Sequence, residues 1–140
     1  MAADYQSLIR IRKWALDEER RQLGQLNAAF TRIEQEIATL QANYEREQQA
    51  VAETDFIAAG GFGNYTEGMI ARRQTLLSAK ASLEAQIATK TEEVREAFQE
   101  VKKFELAQEA LEEREAADEN RRETIELDDI AIEGHRRQNS

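Results

Sequence analysis

Glu126, Asp128, Asp129 and Glu133 bring four carboxylates together near the C-terminus. Oxygen ligands of this kind suit a hard divalent cation, but the twelve-residue calcium-loop pattern with its central glycine is missing. They are read as a solvated acidic face. His135 follows with no cysteine or second histidine at metal-binding spacing, so no metal site is expected there. The other stretch with chemical promise is "ETDFIAAGGFGNYTEGM", residues 53–69, which holds Gly60, Gly61, Gly63 and Gly68. A phosphate-cradling loop needs a Gly-Lys-Ser/Thr ending, and "GGFG" neither completes a dinucleotide fingerprint nor follows a predicted strand. The stretch is expected to be a corner. Gly60 and Gly61 would take left-handed backbone to close one helix, and Asn64 with Glu67 would form a capping box opening the next. Phe56, Ile57, Phe62 and Tyr65 would either plug the end of a core or offer a sticky tip.

Any such group must be positioned by the elements around it, and these read as helix throughout. Ala, Glu, Lys, Leu and Arg make up just over half of the 140 residues, and there is no proline. Combined with a period near 3.5, that composition marks long helices and coiled coils. Ile9, Leu16, Leu23, Phe30, Ile37, Tyr44 and Val51 recur every seven residues, and Leu26, Ile33 and Leu40 add the alternating spacing of a coiled-coil seam. A second seam runs through Met69, Leu76, Leu83, Ala97, Phe104 and Leu111, with Ile87, Val94 and Val101 alongside. Each seam is the nearest apolar surface available to the other. The expected fold is all-α: a long two-helix antiparallel coiled-coil hairpin with a C-terminal helical overhang, forming a single domain over residues 1–140. Helix 1 is expected over about 4–57, the corner over about 58–65 and helix 2 over about 66–133. A first helix of that length would span roughly 80 Å.

Folding about residue 62 would set Val51 against Arg73, Tyr44 against Lys80, Ile37 against Ile87 and Leu23 against Val101. Residue 4 would then face residue 120, leaving the last twenty residues without a partner. Gln108, Glu115, Asp118, Arg122 and Asp129 interrupt the seam there, although Ile125 and Ile132 persist. A helix that carries Ile125, Leu127, Ile130 and Ile132 without an intrachain partner is expected to dock into another protein. Trp14, beside the Ile9 and Leu16 series, is expected to broaden the seam by packing its flank; the alternative is an anchor for another protein. Arg72 and Arg73 either solvate the second helix or meet an acidic partner near the tip.

Composition narrows the function classes. A two-helix rod has almost no concave interior in which to build a water-poor pocket, so no enzyme and no cofactor are expected. Net charge is −9, concentrated in residues 92–133, which argues against a nucleic-acid partner. No cysteine is present, so no disulfide or thiolate chemistry arises. The N-terminal "MAADYQSLIRIRKWALDEERR" has charges inside its apolar segment and does not look like a signal peptide. No apolar run approaches the roughly 18 residues of a spanning helix. A soluble cytoplasmic protein is expected.

Glu119-Asn120-Arg121, followed after five residues by Leu127-Asp128-Asp129-Ile130-Ala131, resembles the C-terminal signature of the FliJ family, a small component of the flagellar type III export apparatus. The N-terminal "SLIRIRKWALDEERRQL", the length and the helical hairpin agree with that family along nearly the whole chain. The resemblance implies a non-enzymatic stalk that works with the hexameric flagellar export ATPase, similar to the central coiled coil of rotary ATPases. It also implies contact with the cytoplasmic domain of the export gate and escort of empty export chaperones. Such a protein would be a monomer in the cytoplasm, peripheral to the inner membrane through its partners. Asn120, Arg121, Leu127, Asp128, Ile130 and Ala131 match the signature and become candidates for the ATPase contact. Leu40, Tyr44, Tyr65 and Met69 occupy places comparable with the family's gate-contact positions. The family's usual basic balance is absent here. The rival readings are the homologous stalk of a virulence type III secretion system and a prefoldin-like coiled-coil chaperone. Prefoldin subunits place β-hairpins between their helices, and the roughly ten residues at this corner are too few for that.

Overall fold

The computed structural model describes residues 4–53 and 60–139. It contains two helices, α1 over Gln6–Ala52 and α2 over Phe62–Gln138, and no strand among the described residues. They pack against each other as a helical hairpin. With no proline to break either ladder, the helices run for 47 and 77 residues. Asp4 starts α1: its Oδ1 accepts the Gln6 backbone N–H at 3.0 Å, satisfying one of the donors that a helix start leaves free. His135, Arg136 and Arg137 occupy the last turn of α2, where cations complement the helix dipole.

The corner lies earlier than expected. α2 begins at Phe62, so Asn64 is inside the helix and does not cap it, and Tyr65 belongs to its opening turns. No glycine among the described residues has a positive φ, so the expected left-handed closure at Gly60 and Gly61 is not observed. Phe56 and Ile57 lie outside the described residues.

Contacts divide the chain into two compact units. In the unit spanning Leu16–Glu96, Leu16, Met69 and Leu76 are buried, and Leu23, Leu26, Phe30, Ile33, Ile37, Leu40, Leu83 and Ile87 are half-buried. In the unit formed by Met1–Ala15 and Ala97–Ser140, Ile9 and Val101 are buried, with Phe104 and Leu111 half-buried. Both seams read from the sequence therefore face inward. Two helices cannot enclose a side chain on all sides, which is why none among the described residues is completely sealed from solvent. Gly24 is the exception to a run of good helix formers: it is exposed, and an added Cβ would meet nothing within 4 Å. Gly24→Ala is expected to stabilise the fold by about 0.5–1 kcal/mol, read as a raised midpoint in thermal or urea unfolding.

The register differs from the one obtained by folding about residue 62. Tyr44 does not meet Lys80; it meets Phe62, Tyr65 and Thr66. Lys80 instead reaches Glu34 at 3.7 Å and lies over the Phe30 ring. Arg72 bonds Glu36 at 3.2 Å, and Lys90 bonds Glu19 at 3.0 Å. These pairs are displaced by about two heptads from expectation. The reason is geometric: moving the pivot along the chain by some number of residues moves each partner by twice that number.

Candidate functional site

At the start of α1 the two helices part company. The Tyr5 backbone N–H donates to Gln108 Oε1 at 2.8 Å, and the Tyr5 ring lies 6.1 Å from that of Phe104. Gln108, which interrupts the apolar seam, therefore completes the beginning of the opposite helix. Lys13 reaches Glu105 at 3.7 Å in the same unit. Beyond this level α1 offers no further described turn, and every described residue of α2 after Asp118 is exposed. The exposed run of α2, residues 119–138, thus agrees with the twenty residues expected.

This stretch contains all six signature-matched positions. Leu127 and Ile130 are 66% and 68% exposed, beside Asn120, Arg121, Asp128 and Ala131, which are exposed too. Arg121 faces Asp118 at 3.8 Å, a surface pair of small energetic value. Ile125 and Ile132 are also open, at 53% and 58%. One residue advances a helix by about 100°, so Ile125 and Ile132 share a face, continuing the seam. Leu127 and Ile130 point to the other side. The terminal helix therefore presents apolar side chains in two opposed directions.

The four carboxylates Glu126, Asp128, Asp129 and Glu133 lie along this helix. No group of three or more His, Cys, Asp or Glu among the described residues is placed to hold a metal ion. His135 pairs with the Asn139 side chain at 3.0 Å.

A second surface surrounds the corner. Tyr44 of α1 stacks with Phe62 and Tyr65 of α2, at ring separations of 5.4 and 6.3 Å, and Phe62 and Tyr65 are 5.9 Å apart. The Thr66 and Tyr44 hydroxyls are 3.5 Å apart. Tyr65 keeps 40% of its surface exposed, so the cluster both closes the adjoining seam and faces solvent. Of the other two gate-contact candidates, Leu40 is half-buried and lines an open groove with Arg72 and Leu76, and Met69 is buried in the seam. Arg72 is held by Glu36 across the helices, and Arg73 is exposed.

Trp14 departs from expectation. It is 70% exposed, with Ile11 one turn away at 61%, so it does not broaden the seam. Its heptad position, five residues after Ile9, points directly away from the partner helix.

The sequence reading named Lys80 only as a partner of Tyr44 and missed Lys90. Lys80 and Lys90 occupy slots in the α2 seam series, and Lys90 falls seven residues after Leu83 and seven before Ala97. Its Nζ is held by Gln22 at 2.7 Å, Glu93 at 2.6 Å and Glu19 at 3.0 Å. The bonds to Glu93 and Glu19 raise the Lys90 pKa, and Lys90 lowers that of Glu93. A raised lysine pKa contributes stability that is lost as pH climbs through it. A lowered carboxylate pKa contributes stability that is lost as pH falls through it, so the Lys90–Glu93 pair is charged across the neutral range. The gaps in the apolar series are the signal that could have found them.

The family model described as Flagellar FliJ protein matches residues 1–140. The chain belongs to the FliJ family. No curated protein and no solved structure gives a significant match. FliJ membership gives the chain a role in flagellar protein export. No helix among the described residues is long and apolar enough to cross a membrane.

Proposed function

We propose that this chain is the stalk of the flagellar export ATPase: its terminal α2 segment enters the hexameric ring, and the corner contacts the cytoplasmic domain of the export gate. The single observation that carries this reading is the length of α2 without an α1 partner, apolar on two opposed faces. A one-sided groove would bury only one of those faces, whereas a socket that surrounds the helix buries both. Asn120, Arg121, Leu127, Asp128, Ile130 and Ala131 make the ATPase contact. Tyr44 and Tyr65 supply the aromatic surface for the gate, with Leu40 and Met69 supporting them from the seam. The same chain escorts empty export chaperones and works in the cytoplasm, at the inner membrane only through its partners.

The ATPase provides the hydrolytic chemistry, and the stalk provides asymmetric contact that favours a complete ring. Because this end of the chain is acidic, the contact rests on apolar burial and should persist as salt is raised. The purified protein is expected to have no ATPase activity of its own. It is expected to co-purify with the cognate export ATPase and to raise hydrolysis where the ring is incompletely assembled. Absence of both binding and stimulation would overturn the stalk assignment.

A further inference from the structure

We propose that Lys90 selects the register of the hairpin, holding α1 and α2 in one of several heptad alignments that the apolar seams alone would accept. A seam of period seven looks nearly the same after sliding by seven residues, because each apolar side chain is replaced by another at the equivalent position. One heptad corresponds to about 10 Å of travel along the helix. Loss of register would therefore change which ends of the two helices coincide without exposing the seam.

Lys90 removes that degeneracy. Its side chain is only 18% exposed, in a slot otherwise filled by Leu83 and Ala97 on either side. In the observed alignment the ammonium meets Glu19 and Gln22 from α1, with Glu93 of its own helix completing the shell. A slip of one heptad in one direction replaces Glu19 and Gln22 by Leu26 and Ala29, leaving the ammonium without its cross-helix acceptors. A slip in the other direction replaces them by Arg12 and Ala15, setting like charges together. Both neighbouring registers are disfavoured by the same residue. This is the established use of a polar group in a coiled-coil seam: it costs stability and fixes alignment. Lys80, at a more exposed slot of the same seam, pairs with Glu34, and Glu36–Arg72 reinforces the choice from the rim.

The chain lacks cysteine, so engineered pairs report register directly. Arg72→Cys is combined in turn with Glu36→Cys, Ala29→Cys or Asn43→Cys, three positions related by whole heptads. Each pair is oxidised in the full-length protein with Lys90 and with Lys90→Leu. With Lys90, only the 36–72 pair is expected to close. With Lys90→Leu, closure of the 29–72 or 43–72 pair should rise at least tenfold, while helicity is kept and thermal stability stays equal or increases. Lys90→Arg, which keeps a cation, should restore the single register. The proposal is overturned if Lys90→Leu leaves the slipped pairs unchanged, or if Lys90→Arg slips as readily as Lys90→Leu.

Discussion

Leu127→Asp combined with Ile130→Asp is expected to abolish co-purification with the export ATPase while leaving the thermal midpoint of the isolated protein almost unchanged. Both side chains are about two-thirds exposed, so removing them takes little apolar burial from the hairpin. Surface substitutions of that kind stay within about 0.5 kcal/mol. In a socket, the same two residues are buried apolar anchors, each contributing about 2 kcal/mol or more. Losing both corresponds to a drop in affinity of roughly 1,000-fold, before the cost of burying two carboxylates is added. Pull-down from purified components gives the binding result, and circular dichroism with thermal unfolding gives the control. A marked fall in stability would show that these side chains belong to the hairpin core, and undiminished binding would remove them from the ATPase contact.

Leu76→Ala is expected to have the opposite profile. Leu76 is 3% exposed, the lowest value among the buried hydrophobic residues, and sits where the seams of α1 and α2 meet in the unit spanning Leu16–Glu96. Truncating a buried leucine costs roughly 2–5 kcal/mol, part lost transfer energy and part unfilled space. A two-helix seam can collapse inward more readily than a thick core, so about 3 kcal/mol is expected, with a fall in midpoint on the order of 10 °C. Its neighbour Leu77 is 37% exposed and provides an internal comparison. Leu77→Ala should cost well under half as much in the same denaturation series. Equal losses at the two positions would contradict the facing assigned to α2.

These two outcomes together separate the residues that make the hairpin from those that it presents. At the amino-acid level they are alike: Leu76, Leu77 and Leu127 are all leucines in an unbroken helix. Heptad position distinguishes Leu76 from Leu77, and that was visible from spacing alone. Leu127 is separated from the core by a different cause, since no described turn of α1 reaches its level. That absence follows from where the chain reverses.

Trp14 and Lys90 mark the limits of composition as a guide. A tryptophan near two seam residues invites burial, yet the phase of the helix turns it outward, where it is 70% exposed. A lysine invites exposure, yet Lys90 is placed inward and held by two carboxylates and an amide. In both cases the helical phase outweighed the preference of the residue type. The same phase, read at the skipped slots between Leu83 and Ala97, identifies Lys90 without coordinates.

The sequence by itself determined that the chain is two helices, which face of each turns inward, and that the C-terminal helix outlasts its partner. These follow from local properties: no proline, strong helix formers and a seven-residue apolar repeat. The signature near Leu127 likewise pointed to the family. Only the tertiary structure decided the register, because a repeat of seven is blind to slips of seven and the pivot sits in a glycine-rich stretch without periodicity. The contacts of Tyr44 with Phe62 and Tyr65, and of Lys90 with Glu19, choose one alignment through shape and charge between residues far apart in the chain. From that choice follow the make-up of the aromatic corner, the role of Gln108 at the start of α1, and the length of helix left free for a partner.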